Sequence, residues 1–177
     1  MGIALLSGVL KAAGHNTDLC VLDRKYKRRN YTSIDRKFQS KDYGLICFSS
    51  DDAQLPFIER RPPGLKTRYN AFTILGGVHA SISPEDSYLE VFDALCIGEA
   101  ENALRELADG LENNLDISAI NNLWLKKDGK TIKNKTKEFI QDLDSLPFAD
   151  RDLWQASIFN KNTRLTLLLG RGCPYNC

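Results

Sequence analysis

The stretch that most constrains the fold is Thr73-Ile74-Leu75-Gly76-Gly77-Val78-His79-Ala80. A short apolar run stops at two glycines, and a polar loop leads on to Ser83-Pro84-Glu85. A run of this length between helical patterns reads as a buried parallel strand. The glycines remove both side chains where the backbone leaves the sheet. In an open α/β sheet that edge is where ligands sit, and glycine lets a ligand approach the main chain closely. A plain strand-to-loop turn would place glycines there too. The flanking sequence decides between the two.

Upstream, Leu6, Val9, Leu10 and Ala13 follow helical spacing, and Gly14 stops that helix. Thr17 to Leu22 reads as a strand, and Arg24-Lys25-Tyr26-Lys27-Arg28-Arg29 as a solvated basic connection. A short helix around Ser33 to Gln39 leads to a buried strand, Tyr43 to Phe48, which ends in Ser49-Ser50-Asp51-Asp52. These small polar residues suit either a helix cap or a ligand. A helix over Ala53 to Arg61 should break at Pro62-Pro63-Gly64 and resume over Leu65 to Asn70. Downstream, Pro84 to Glu90 reads as a brief helix, and Phe92 to Ile97 as a strand ending in Gly98-Glu99. Ala100, Ala103, Leu104, Leu107, Ala108 and Leu111 then share one helical face. Alternating strands and helices predict a doubly wound parallel sheet. Ser49, Gly77 and Gly98 all fall at the carboxyl ends of their strands, on one ligand edge.

The charge balance narrows the partners. A net charge of +1 gives no reason to expect nucleic acid or a membrane surface. No apolar run approaches the roughly 18 residues of a membrane span, and Met1 leads into Ile3-Ala4-Leu5-Leu6 without a signal-peptide pattern. Cys20, Cys47 and Cys96 lie in apolar runs, where a free cysteine acts as a small hydrophobe. That usage is not a disulfide framework and fits a reducing, cytoplasmic setting.

From Asn113 the pattern changes. Leu123-Trp124-Leu125 and Thr131-Ile132-Lys133 flank an Asp128-Gly129 turn, a tight hairpin. Residues 142–150 read as a strap between domains. A buried strand, Leu165 to Leu169, then runs into Gly170-Arg171-Gly172-Cys173-Pro174-Tyr175-Asn176-Cys177. Taken alone, the two cysteines could be half of a zinc site or free thiols.

Residues 169–177 resemble the opening of the cluster-binding loop of radical S-adenosylmethionine (SAM) enzymes, Cys-x3-Cys-x2-Cys after the first strand of a (β/α) barrel. Cys173 and Cys177 match its first two cysteines, and the third is not in the sequence. Upstream, Gly14-His15, Ser49, Gly76-Gly77-Val78-His79-Ala80 and Gly98-Glu99-Ala100-Glu101 follow one another as in the cobalamin-binding domain that precedes the barrel in a large class of these enzymes. The hairpin 122–134 and the strap 142–150 have that family's look as well.

The resemblance implies an α/β, flavodoxin-like (Rossmann-like) doubly wound parallel sheet of cobalamin-binding type over residues 1–112. A hairpin and linker over 113–160 would follow, then the first strand of a radical SAM barrel over 161–177. The chain would lack the family's first strand and most of the barrel, an internal piece of a longer enzyme and inactive by itself. Cobalamin would be held by Ser49, Ser50, Gly76, Gly77, Val78, His79, Gly98 and Glu99, with His79 a cofactor contact and not a cobalt ligand. His15, on the opposite edge, would be structural. Cys173 and Cys177 would ligate a 4Fe–4S cluster whose open iron takes SAM, with Tyr175 nearby. The full enzyme would cleave SAM reductively for methyl transfer or cyclisation at an unactivated carbon. Its partners would be a small-molecule substrate and an electron donor such as flavodoxin or ferredoxin. The reading from another class is a non-catalytic flavodoxin-like binding module.

Overall fold

Strand pairing organises the fold. The computed structural model describes residues 2–21, 27–51, 55–58, 62–87, 91–154 and 170–172. Five strands pair in sequential order: β1 (Leu45–Ser49), β2 (Phe72–Gly76), β3 (Ala94–Cys96), β4 (Leu123–Lys127) and β5 (Lys130–Lys133). β1, β2 and β3 are parallel, and β4 pairs antiparallel with both β3 and β5. The sheet is therefore mixed. The hairpin expected as a linker is present but adds two strands to the sheet, with Leu125 opposite Ala94 and Leu123 opposite Cys96. Asp128 (φ 52°) and Gly129 (φ 73°) supply the two left-handed residues of the tight turn. Lys130 and Lys133 on β5 put charge on the last strand, which discourages further pairing.

Side chains alternate across the sheet. Phe48, Leu75 and Leu95 meet on one face, packed with Ile58, Ala80 and Phe92, and Ile46, Val91 and Trp124 flank them. Phe48 and Phe92 touch edge to face at 5.5 Å between ring centres. Ile74, Ala94 and Leu125, in register with one another, are buried on the other face. Asp93 closes the amino end of β2 by accepting from Thr73 N and Oγ1, each at 2.8 Å, and pairs with Lys66.

The helices depart from the expected boundaries for local reasons. The helix α2 spans Lys27–Ser40, so part of the basic run is helical; lysine and arginine are good helix formers and do not terminate one. After β1 come α3 (Leu55–Ile58) and α4 (Pro62–Tyr69). α4 starts at Pro62 and not at Leu65, because a proline in a first turn forfeits no intrahelical bond. Behind Gly77 there is no polar loop: the helix α5 (Val78–Ile82) starts at once. Of the brief helix expected over Pro84 to Glu90, Pro84–Asp86 is a 3₁₀ turn, and residues 88–90 lie outside the described residues. α6 (Glu101–Glu112) buries Ala103, Leu104, Leu107 and Ala108 as its spacing predicts. No strand forms over residues 17–21, where the pattern suggested one; a strand exists only with a ladder partner, and none is found among the described residues. The expected strand Leu165 to Leu169, and Cys173, Tyr175 and Cys177, lie outside the described residues.

The chain divides into two compact units, Met1–Leu19 with Ile140–Cys177, and Cys20–Phe139. This differs from the expected breaks at 112 and 160, because α1 (Gly2–Ala12) groups with the strap. Gly8 explains the close approach: a Cβ there would lie 2.3 Å from the Phe148 carbonyl oxygen. Asp150 N donates to Ala4 O at 2.7 Å. Its carboxylate accepts from Ser7 at 2.6 Å and pairs with Lys11 at 2.7 Å. Among the described residues of either unit, no helix is long and apolar enough to cross a membrane.

Burial works against the Asp150 charge, but hydrogen bonds from Lys11 and Ser7 outweigh it and hold the carboxyl below its usual 3.8. A carboxyl depressed by folding stabilises above its unfolded pKa and loses that contribution as the pH falls through the folded value. This anchor should therefore be intact at neutral pH and weaken only below about pH 3.8. Lys11→Met should move the Asp150 midpoint upward in an NMR pH titration. An unchanged midpoint would show that Lys11 is not what lowers it.

Candidate functional site

The carboxyl ends of the three parallel strands are locked together by main-chain contacts. β1 ends with Ser49 in register with Gly76. Ser50 N donates to Gly76 O at 3.3 Å, and His79 N to Ser50 O at 3.4 Å. Between those bonds Gly77 adopts φ 101° and ψ −168°, a conformation essentially reserved for glycine. A Cβ on Gly77 would lie 2.7 Å from Ser50 O and 3.1 Å from Ser49 Oγ. Gly77 is thus demanded by its own chain, through the Ser50 main chain and the Ser49 hydroxyl. Gly76 is different. Among the described residues a Cβ there would meet only Cys96, 3.7 Å from its Cβ, which is ordinary contact and leaves the flank above it open.

Two further side chains extend the lock to β3. Ser81, on α5, donates to Gly77 O at 3.0 Å and accepts from Gly98 N at 3.0 Å. Gly98 has φ 77°, and a Cβ on it would press on Thr136 Cγ2 at 3.3 Å. Asn122, at the base of the hairpin, donates from Nδ2 to Glu99 O at 3.0 Å and accepts at Oδ1 from Lys137 N at 2.9 Å. Ser81, Asn122 and Thr136 were not singled out in the sequence. Their partners lie 15 or more residues away in every one of these cross-loop contacts, so no local pattern points to them. Asparagine before a hairpin signals a left-handed backbone at most.

The edge offers hydroxyls and apolar surface. Ser49 is exposed, whereas Ser50 is buried and its Oγ makes no hydrogen bond among the described residues. On α5, Val78 (61% exposed) and Ile82 (75% exposed) face outward, one helical turn apart. His79 is buried beneath them and holds its place through its main chain as well, its carbonyl accepting from Ser83 N at 2.8 Å. Glu99 is half-buried and Gly98 exposed. Burial pushes the Cys96 thiol up to about 12, with Glu101 adding to the effect, so it packs beside Gly76 as a neutral group. Cys47 is exposed, and Cys20 is half-buried. Among the described residues no three His, Cys, Asp or Glu side chains converge on a metal site. The arrangement suits the holding of a large, partly apolar ligand at a glycine-flanked edge.

A family model described as "B12 binding domain" matches residues 1–108. An uncharacterised methyltransferase of Pyrococcus horikoshii, PH0819, is 30% identical over 112 residues, 61% of this chain and 24% of that protein. The radical SAM methyltransferase TsrM of Kitasatospora setae, solved with cobalamin and a [4Fe-4S] cluster bound, superposes with TM-score 0.67 at 16% identity over 82% of this chain and 28% of that one. The cobalamin-dependent SAM radical enzyme OxsB, solved with aqua-cobalamin and SAM, gives 0.58 at 19% identity over 69% and 18%. The structural likeness is one of fold, and this chain spans about a quarter of the length of PH0819 and TsrM.

The two glycines should separate in a stability measurement. Gly77→Ala combines a disallowed backbone, about 1–3 kcal/mol, with a clash on Ser50 that adds roughly 1–3 kcal/mol. Gly76→Ala meets only ordinary contact and should lie within about 1 kcal/mol of wild type. Urea unfolding followed by circular dichroism gives both values; equal destabilisation would contradict the geometry.

Proposed function

We propose the function of this chain from one premise: it belongs to the B12-binding domain family. Its role is to bind cobalamin along the carboxyl edge of β1, β2 and β3. The observation that carries this is Ser50 Oγ, a buried hydroxyl with no hydrogen bond among the described residues, at the edge where Gly76 leaves its flank open. A buried polar atom without a partner costs free energy, and a ligand that supplies the partner recovers it. Ser49 and Ser50 would hydrogen-bond the cofactor, and Gly76 would let its tail lie against the strand. Val78 and Ile82 would cover apolar surface and exclude water, with Gly98 and Glu99 bounding the far side. Gly77 and His79 act beneath the site, by setting the backbone on which it rests. Bound cobalamin would supply methyl-transfer chemistry at cobalt.

The longer proteins this chain resembles support a wider reading. There the domain would serve a radical SAM enzyme that uses a 4Fe–4S cluster to cleave SAM for methyl transfer or cyclisation on a small molecule. Cys173 and Cys177 would contribute cluster ligands, with Tyr175 close by, and a flavodoxin or ferredoxin would deliver electrons. These are cytoplasmic roles. The chain by itself would be a binding module without catalysis.

Titration with hydroxocobalamin, followed by absorbance, tests the reading. Saturable stoichiometric binding is expected, and its absence would overturn the proposal. Ser50→Ala should move two quantities in opposite directions. Removing an unpaired buried hydroxyl should stabilise the free chain by about 1–3 kcal/mol. Losing one hydrogen bond to the ligand should weaken binding about 2- to 13-fold. Gly76→Ala should leave the fold intact and weaken binding about tenfold or more, because its methyl occupies the open flank.

A further inference from the structure

We infer that Asn122 is the positioning residue of this edge: its buried amide clamps the Gly98-Glu99 loop to the hairpin and so sets the loop's depth against cobalamin. The inference rests on the reading above. Asn122 is 6% exposed and has φ 66°, a left-handed conformation that asparagine tolerates better than most residues. Its main chain is used in full: the carbonyl accepts from Ile97 N at 2.8 Å, and its N–H donates to Lys135 O at 2.9 Å. Its side chain is used at both ends, toward Glu99 O at 3.0 Å and from Lys137 N at 2.9 Å. The amide nitrogen also lies directly beneath Gly98, 3.5 Å from where a Cβ would be. One residue thus joins the end of β3, the loop of two candidate ligand-binding residues and the segment that leaves the hairpin.

Loops at strand ends are compliant unless tied. Gly98 has a left-handed backbone and little packing of its own, since among the described residues only Thr136 and the Asn122 amide come within 4 Å of its Cβ position. Ser81 holds Gly98 from the β2 side, and Asn122 holds Glu99 from the hairpin side. Only an amide of this length can donate to Glu99 O and accept from Lys137 N together. Asn122→Asp would keep the acceptor but set a carboxylate against a carbonyl oxygen; Asn122→Gly would keep the backbone and lose both bonds.

The test compares Asn122→Asp and Asn122→Gly with Asn134→Ala in the whole chain. Asn134 makes a side-chain bond of the same kind, to Ser118 O at 2.9 Å, without reaching the Gly98 loop. Hydroxocobalamin affinity is measured well below each variant's melting temperature, and hydrogen exchange of the Gly98 amide is followed in the free chain. Asn122→Asp should bind about tenfold more weakly, the effect of one buried hydrogen bond, and Asn122→Gly at least as weakly; both should exchange Gly98 faster. Asn134→Ala should change stability alone. Folded Asn122 variants with wild-type affinity and exchange, or an equal loss of affinity in Asn134→Ala, would overturn the inference. Failure of the wild-type chain itself to bind would instead remove the function proposed above, and this role with it.

Discussion

The candidate site depends on one main-chain crossing, where the end of β2 passes against the end of β1. Ser50 N meets Gly76 O, His79 N meets Ser50 O, and Gly77 takes the extended, left-handed turn between them. A side chain at Gly77 would occupy the space of the Ser50 carbonyl, 2.7 Å from its Cβ position. The crossing turns the chain directly from strand into α5. That turn buries His79 and Ala80 and leaves Val78 and Ile82 at the surface. It also holds Ser50 in place, so its hydroxyl is buried while its backbone is fully engaged.

The second dependence runs the other way across the sheet. A parallel three-stranded edge would leave the loop after β3 tied on one side only. The hairpin closes it: β4 pairs antiparallel with β3, and the segments at the hairpin's base return to the carboxyl edge. Asn122 and Thr136 reach the Gly98 loop from there, while Ser81 reaches it from α5. The loop is therefore held by elements from two directions, and its glycine needs no side chain to pack. A hairpin that resembles a spacer in sequence is part of the platform.

These features divide labour in a way that fits a cofactor-binding module. The described edge offers hydroxyls, main chain and apolar surface, and the ionisable thiol nearest Gly76 is kept neutral by burial. The match to the B12-binding domain family takes in β1, β2, β3 and most of α6, and the hairpin strands lie beyond it. This chain spans about a quarter of the length of PH0819 and TsrM.

The sequence by itself determined the elements whose signals are local. The apolar runs read at 43–48, before Gly76-Gly77 and at 92–97 correspond to the strands 45–49, 72–76 and 94–96, the amphipathic spacing from Ala103 to Ala108 is a buried helical face, and Asp128-Gly129 is the hairpin turn. The order of small residues at the strand ends placed Ser49, Gly77 and Gly98 on a common edge. Periodicity and glycine placement are short-range consequences of backbone sterics and burial, so a window of sequence contains them. Tertiary structure alone decided which atoms those residues meet. Whether a glycine is small for its own chain or for a ligand depends on which atoms face it, and only the crossing on Ser50 separates Gly77 from Gly76. The fate of residues 17–21 turned on a pairing partner, and that of the Pro62-Pro63 pair on where a helix begins. The clamp of Asn122 on Glu99 spans 23 residues of chain. A hydrogen bond at that separation leaves no periodic trace, because it is fixed by how the strands pair and not by the residues beside it.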